Sequence, residues 1–414
     1  MAGKLAEAVS ESRLWQRHAD MAKIGGTPKG GVNRLALTAE DNRARQQLCA
    51  WAAARHYQVF VDGIGNLFVR RPGADADAAP VMSGSHMDTQ PTGGRFDGMY
   101  GVLAAFEALE ALDDAGIRTK RPVEAVAWTN EEGSRFQPGT MGSAVFSGMK
   151  TLDGYLGVVD SAGVTFGEAL KQTLAATPQA AHRAFQIPVS AYVEAHIEQG
   201  PRLEIAGKPI GVVTGIQGSR WFTIEVTGEE AHAGTTPLAV RKDAFRAAVA
   251  MVQALQELMQ DPADTVRFTI GRFEVMPGSP NTVPGRVLFT IDFRHPQDEV
   301  IARLGDQVEP ICRALAGPCG VTVTETSRHP STWFDREIVE LVARTTDALG
   351  LPKMELFSGA GHDARCLQPL CPTGMIFVPC AKGISHNEAE DASPADLAAG
   401  ARVLASVLRE LADR

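Results

Sequence analysis

From Ala79 to Gly133 the chain alternates in a way that constrains its fold more than any other stretch. APVMSGSH is an apolar, strand-like run, and MDTQPTGGRFDG is a loop rich in Gly and Pro. YGVLAAFEALEALDDAG repeats its apolar positions at helical spacing, and PVEAVAWTNEEG is a second strand-like run that ends in two acids. Strand, loop, helix, strand is the unit that joins parallel strands. It predicts an α/β fold with a mainly parallel sheet whose ligands gather at the carboxyl ends of the strands.

Upstream, AWAAARHYQVFVDGIGNLFVRR reads as a helix end followed by a hairpin punctuated by Asp-Gly and Gly-Asn. The rhythm changes between residues 216 and 330. RWFTIEVTG, VRFTIGRFEV, RVLFTIDFR and VTVTETS read as strands, PLAVRKDAFRAAVAMVQALQELMQ as one long helix and DEVIARLGDQVEPICRAL as a second. Four strands and two helices resemble a ferredoxin-like module inserted into the first domain. The α/β pattern then resumes with FDREIVELVARTTDALG and MIFVPC. The expected division is residues 1–215 with 331–414, and an inserted 216–330.

At 414 residues the chain is long enough for two domains. A formal charge of -9 argues against a nucleic-acid surface and leaves small-molecule chemistry as the expectation. No apolar run has membrane-spanning length, and the charged MAGKLAEAVSESRLWQRHAD lacks a signal peptide's apolar middle, so a cytoplasmic protein is expected. Cys49, Cys312, Cys319, Cys366, Cys371 and Cys380 show no paired spacing and read as core residues or free thiols.

Against that background the histidines and acids at the strand ends stand out. His86 closes one apolar run and Asp97 follows across the glycine-rich loop. Glu131 and Glu132 end the next run, HIEQG puts His196 after another, and GISHNE puts His386 near the end of the sequence. Each alone has an ordinary structural explanation: a hydrogen-bonded histidine, a turn aspartate, an acid at a helix start. Three imidazoles and two carboxylates together suit zinc, manganese, cobalt or nickel, and a bridging carboxylate would let five ligands hold two ions.

HMD at 86–88, FDG at 96–98, NEEGSRF at 130–136, EAHIEQGP at 194–201, AHAGTTP at 231–237 and GAGHDA at 359–364 resemble the M20-type metallopeptidase superfamily. Within it they resemble the hydantoinase/carbamoylase branch, over essentially the whole chain. The resemblance implies a metallopeptidase-like catalytic domain carrying an inserted lid and dimerisation domain. It also implies two divalent ions per subunit, with Asp97 bridging, His86 and His196 on one ion, and Glu132 and His386 on the other. Asp88 would orient His86, Glu131 would be the general base and His232 the oxyanion donor. Gln199, Asn281, Gly359, Gly361 and His362 would line the substrate site, and Arg294 would clamp a substrate carboxylate.

The lid would close about hinges near 214–218 and 329–332, and a homodimer is implied because residues of the inserted module reach the partner's metal site in this family. The expected reaction is hydrolysis of an N-carbamoyl-L-amino acid or N-carbamoyl-β-alanine to amino acid, carbon dioxide and ammonia. Allantoate amidohydrolase is the nearest alternative. An aminoacylase or peptidase, or an inactive ureido-acid-binding relative, stands further off.

Overall fold

The computed structural model describes residues 2–414, which separate into two compact units: one runs up to Gly215 and resumes at Trp333, and the other is Ile216–Thr332. The first unit carries a ten-stranded mixed sheet among the described residues. At its centre four strands run parallel in the order Val123–Trp128, Val81–His86, Ala191–Ile197 and Thr373–Val378. Every residue of these four is buried, as a sheet covered on both faces requires. Antiparallel strands flank them on either side: Leu67–Arg71 along Val123–Trp128, and Ile210–Ile216 along Thr373–Val378.

The helix Met99–Asp114 is buried from Met99 to Leu112, which makes it a core helix rather than a half-exposed amphipathic one. It packs with Pro394–Ala412, a helix started by Ser393 as N-cap and proline at its first position. Two acids on the buried helix are paired. Glu107 accepts from Arg13 at 2.6 and 2.7 Å, and Glu110 from Arg17 and Arg55. The Arg13 and Arg17 pairs anchor the helix Glu11–Ala22 to the core, and the Arg55 pair anchors the end of the helix Ala39–Ala54.

The second unit is a four-stranded antiparallel sheet in the spatial order Arg267–Met276, Arg286–His295, Gly218–Thr227, Gly320–His329. With the helices between them, that is the β-α-β-β-α-β ferredoxin-like order. Its helices differ from expectation in two ways. The first begins at Ala244, because Asp243 caps the amides of Phe245 and Arg246 and stops the helix from reaching back to Pro237. The second breaks into Asp298–Gly305 and Val308–Leu315, with Asp306 turned to pair with the buried Arg220 at 2.8 Å.

Candidate metal centre

Four parallel strands pointing the same way present four carboxyl ends along one edge, and each sends out a loop bearing chemistry. His86 is the last residue of its strand, and Glu131 and Glu132 follow Trp128 by a few residues. His196 is next to last in its strand, with Gln199 beyond it, and the loop after Val378 reaches Ser385 and His386. Asp97 lies between the Val81–His86 strand and the Met99–Asp114 helix. The edge of the sheet thus gathers residues three hundred positions apart.

Asp97 is the common centre. His196 Nε2 lies 3.3 Å from Oδ1 and His386 Nε2 3.2 Å from Oδ2. The Gln199 amide donates to both oxygens at 3.1 and 3.2 Å, and Ser385 Oγ lies 3.2 Å from Oδ2. His386 Nε2 is also 3.4 Å from Glu132 Oε2, and His86 Nε2 is 3.4 Å from Glu131 Oε2. Two donor groups result, His86–Asp97–His196 and Asp97–Glu132–His386, each with its ligand atoms within 4.8 Å of one another. Asp97 belongs to both.

The backbone is held in costly shapes to achieve this. Asn130, Gln199 and His386 all have positive φ, a conformation worth about 1 kcal/mol or more of strain for a residue with a side chain. Gly98 has φ 64°, and a Cβ there would lie 2.3 Å from the His86 ring, so only glycine fits beside that imidazole.

Electrostatics agree with a cation site. Burial, against the pull of Asp97, lowers His86 to about 4, and burial likewise lowers His196, so both rings are neutral and able to ligate. Burial alone would raise Asp97, but the hydrogen bond from His386 and the charges of His196 and His86 hold it well below the usual carboxylate range. Burial, followed by the charges of Asp363, Glu132, Asp88 and Asp97, pushes Glu131 well above that range. Glu132 is raised by burial and Asp97, and His386 by its hydrogen bond to Asp97. Crowded acids keep protons that a divalent ion would displace, so these residues fit such an ion by donor type and by charge.

Several expected residues stand in unexpected relations. The Asp88 carboxylate is 3.8 Å from His86 Nδ1, while the main-chain oxygen of Asp88 is nearer, at 2.9 Å, and orients the ring. The carboxylate instead accepts from the amides of Glu131 and Glu132 at 3.3 and 3.2 Å and so fixes the loop of the two acids. His362 is buried against His196, ring centroids 4.5 Å apart, with Nε2 2.8 Å from Ser358 Oγ. A Cβ on Gly359 or Gly361 would meet no protein atom within 4 Å, so crowding does not require glycine at either position. Glu194, His196 and His362 form a third group of potential ligands, but the Glu194 oxygens already accept from Ser85 and the Ala364 amide.

The inserted unit holds His232, Asn281 and Arg294. His232 Nδ1 accepts from the amides of Gly234 and Thr235 at 3.1 and 3.2 Å, which puts the ring proton on Nε2 as a donor. Asn281 is its neighbour, through the Asn281 carbonyl and the Ala233 amide and through the pairing of Thr282 with His232. Arg294 donates to Asp292, with its shortest contact at 2.8 Å. The His232–Asn281 group emerges from the end of the sheet marked by Thr227 and Arg286, which are paired, whereas Arg294 lies opposite Ser219. Eight residues of strand, roughly 25 Å at about 3.3 Å per residue, separate the two ends.

Residue-by-residue reading missed Gln90, which donates to Glu132 at 2.8 Å, and Ser385 beside His386. It also missed Arg34, a buried guanidinium donating to the Met87 carbonyl at 2.7 Å between His86 and Asp88. Gln90 and Ser385 sit inside the glycine-bearing motifs and could have been found there. Arg34 carries no local signal.

Residues 82–410 match the profile of peptidase family M20/M25/M40. An N-carbamoyl-L-amino-acid amidohydrolase of Rhizobium meliloti is 41% identical over 98% of this chain and 97% of its own length. An allantoate amidohydrolase of Escherichia coli is 37% identical, with 98% of each chain covered. Among solved structures, an amidase of the hydantoinase/carbamoylase family from Burkholderia multivorans superposes with a TM-score of 0.93 at 45% identity, covering 98% of both chains.

Proposed function

This chain belongs to the M20/M25/M40 peptidase family, a metal-dependent hydrolase family, and from that premise we propose that it hydrolyses the carbamoyl C–N bond of an N-carbamoyl-L-amino acid or N-carbamoyl-β-alanine. The products are the amino acid, carbon dioxide and ammonia. The observation that carries this reading is the gathering of His196 and His386 on the Asp97 carboxylate, with Glu131 3.4 Å from His86 at the same edge. His86, Asp97 and His196 would hold one divalent ion, and Asp97, Glu132 and His386 a second, of zinc, manganese, cobalt or nickel. When bound, such ions polarise a carbonyl and make water a better nucleophile.

The chain's own residues do the rest. Glu131 takes a proton from the attacking water and passes it to the departing nitrogen, a task suited to a carboxyl whose pKa burial has raised. His232 Nε2–H stabilises the oxyanion, a contribution of about 3 to 4 kcal/mol for a preorganised donor, and the neighbouring Asn281 contacts the substrate. The Arg294 fork holds the substrate carboxylate, with Asp292 keeping the guanidinium plane in place. Gln199 contacts the ureido group, and His362, Gly359 and Gly361 line the pocket.

The roughly 25 Å between the two ends of the inserted sheet far exceeds any ureido acid, so Arg294 and His232 of one chain cannot share a substrate. That supports a homodimer in which each site draws on both copies, with the inserted unit as interface and lid. Six free cysteines support a reducing, cytoplasmic setting. No helix among the described residues is long and apolar enough to cross a membrane.

Enzyme reconstituted with manganese, cobalt or zinc and offered N-carbamoyl-L-amino acids, N-carbamoyl-β-alanine, allantoate and N-acetyl amino acids tests the reading through ammonia and amine release. Turnover of the N-carbamoyl compounds is expected. Turnover of allantoate alone would give the reaction of the Escherichia coli relative instead, and turnover of N-acetyl compounds alone an aminoacylase.

A further inference from the structure

Glu390 lies four residues after His386 and is 1% exposed. Its Oε1 accepts from the main-chain amides of Phe96 and Asp97, at 2.8 and 3.1 Å. Its Oε2 accepts from Ser385 Oγ at 2.9 Å, and the same hydroxyl lies 3.2 Å from Asp97 Oδ2. One buried carboxylate therefore ties the backbone of Asp97 to the loop that carries His386, across a separation of more than 290 residues. A second, independent feature makes room for it. A Cβ built on Gly94 would fall 2.0 Å from Glu390 Cδ, so the bare backbone of Gly94 is the socket into which the carboxylate fits. The acids on either side reinforce the seam, Glu388 accepting from Thr27 at 2.6 Å and Asp391 from Arg95 at 2.9 Å.

We propose that Glu390 is a positioning residue that sets the spacing between the Asp97 carboxylate and the His386 imidazole, and thereby the affinity of the ion those two residues share. The inference rests on the two-ion reading above. Its mechanism is geometric: without the carboxylate two buried amides lose their acceptor, the Asp97 segment relaxes, and His386 no longer meets the shared oxygen at 3.2 Å. Groups that orient ligands in this way typically contribute about 10- to 100-fold in metal affinity.

The test is equilibrium dialysis of the full-length protein against graded free zinc, with bound metal measured by elemental analysis, for wild type, Glu390→Ala, Glu390→Gln and Gly94→Ala. Glu390→Ala should weaken both ions, since Asp97 belongs to both donor groups, and the ion shared with His386 the more, by about 10- to 100-fold. Glu390→Gln keeps a carbonyl oxygen for both amides, and Ser385 can rotate to accept from the new amide, so it should stay within about threefold. Gly94→Ala, whose methyl evicts the carboxylate, should behave as Glu390→Ala does, and it decides the matter if Glu390→Ala does not fold. Two ions held with wild-type affinity by Glu390→Ala or Gly94→Ala would overturn the proposal, as would a Gln variant as weak as the Ala variant. A wild type that binds fewer than two ions would overturn the two-ion reading instead.

Discussion

Glu131 follows a residue of positive φ, its amide is held by Asp88, and its carboxyl faces His86, so the side chain is aimed by its backbone rather than by a flexible loop. Glu131→Gln should leave bound metal unchanged and lower kcat by about 10²- to 10⁴-fold, measured by steady-state rates beside elemental analysis; a rate within threefold of wild type would assign the base elsewhere. Arg294 is about a third exposed, so its loss is expected at the low end for an Arg–carboxylate pair, about 2 kcal/mol or roughly 30-fold in kcat/KM. Arg294→Lys should recover little of it, because an ammonium cannot make two parallel hydrogen bonds. Converting the substrate carboxylate to an amide should impair wild type and leave Arg294→Ala unaffected. Equal hydrolysis of acid and amide by wild type would remove the clamp from the mechanism.

Among the elements, the helix Glu11–Ala22 shows how stability depends on pH away from the site. Its His18 packs against Phe96 and Tyr100, and burial lowers its pKa from 6.5 to about 3. The unfolded chain therefore binds the proton more tightly, so the stabilisation is complete above about pH 6.5 and is lost as pH falls toward 3, at about 1.4 kcal/mol per pH unit. His18→Phe should shift the acid-unfolding midpoint downward, read by circular dichroism; an unchanged midpoint would mean that other groups govern acid unfolding. At this scale much was legible in the sequence, because the buried parallel strands read as mostly apolar runs and each led into a recognisable motif. The helix breaks at Asp243 and Asp306 were not legible, because each depends on a hydrogen bond that competes with the helix. Arg34 and Ser358 were equally silent, since what defines them is a partner supplied by the fold.

For the molecule as a whole, the placement of Arg294 and the His232–Asn281 group at opposite ends of the inserted unit's four-stranded sheet makes a sharp expectation. In the proposed homodimer, His232→Ala and Arg294→Ala should each be impaired at both sites, but mixing and reassorting them should restore about a quarter of wild-type activity, since half the dimers are mixed and one site in each is intact. Failure of a mixture shown to exchange subunits would mean that each chain completes its own site. The gathering of ligands at one sheet edge has a further consequence, in the time order of synthesis. When residues up to about 200 have left the ribosome, His86, Asp97, Glu132 and His196 exist but His386 does not, and the whole inserted unit must be made before it appears. At about 5 to 20 residues per second that interval lasts on the order of ten seconds or more. Throughout it the nascent chain offers an incomplete set of the proposed donors, so binding of both proposed ions would be confined to chains that have finished their last parallel strand and the loop beyond it.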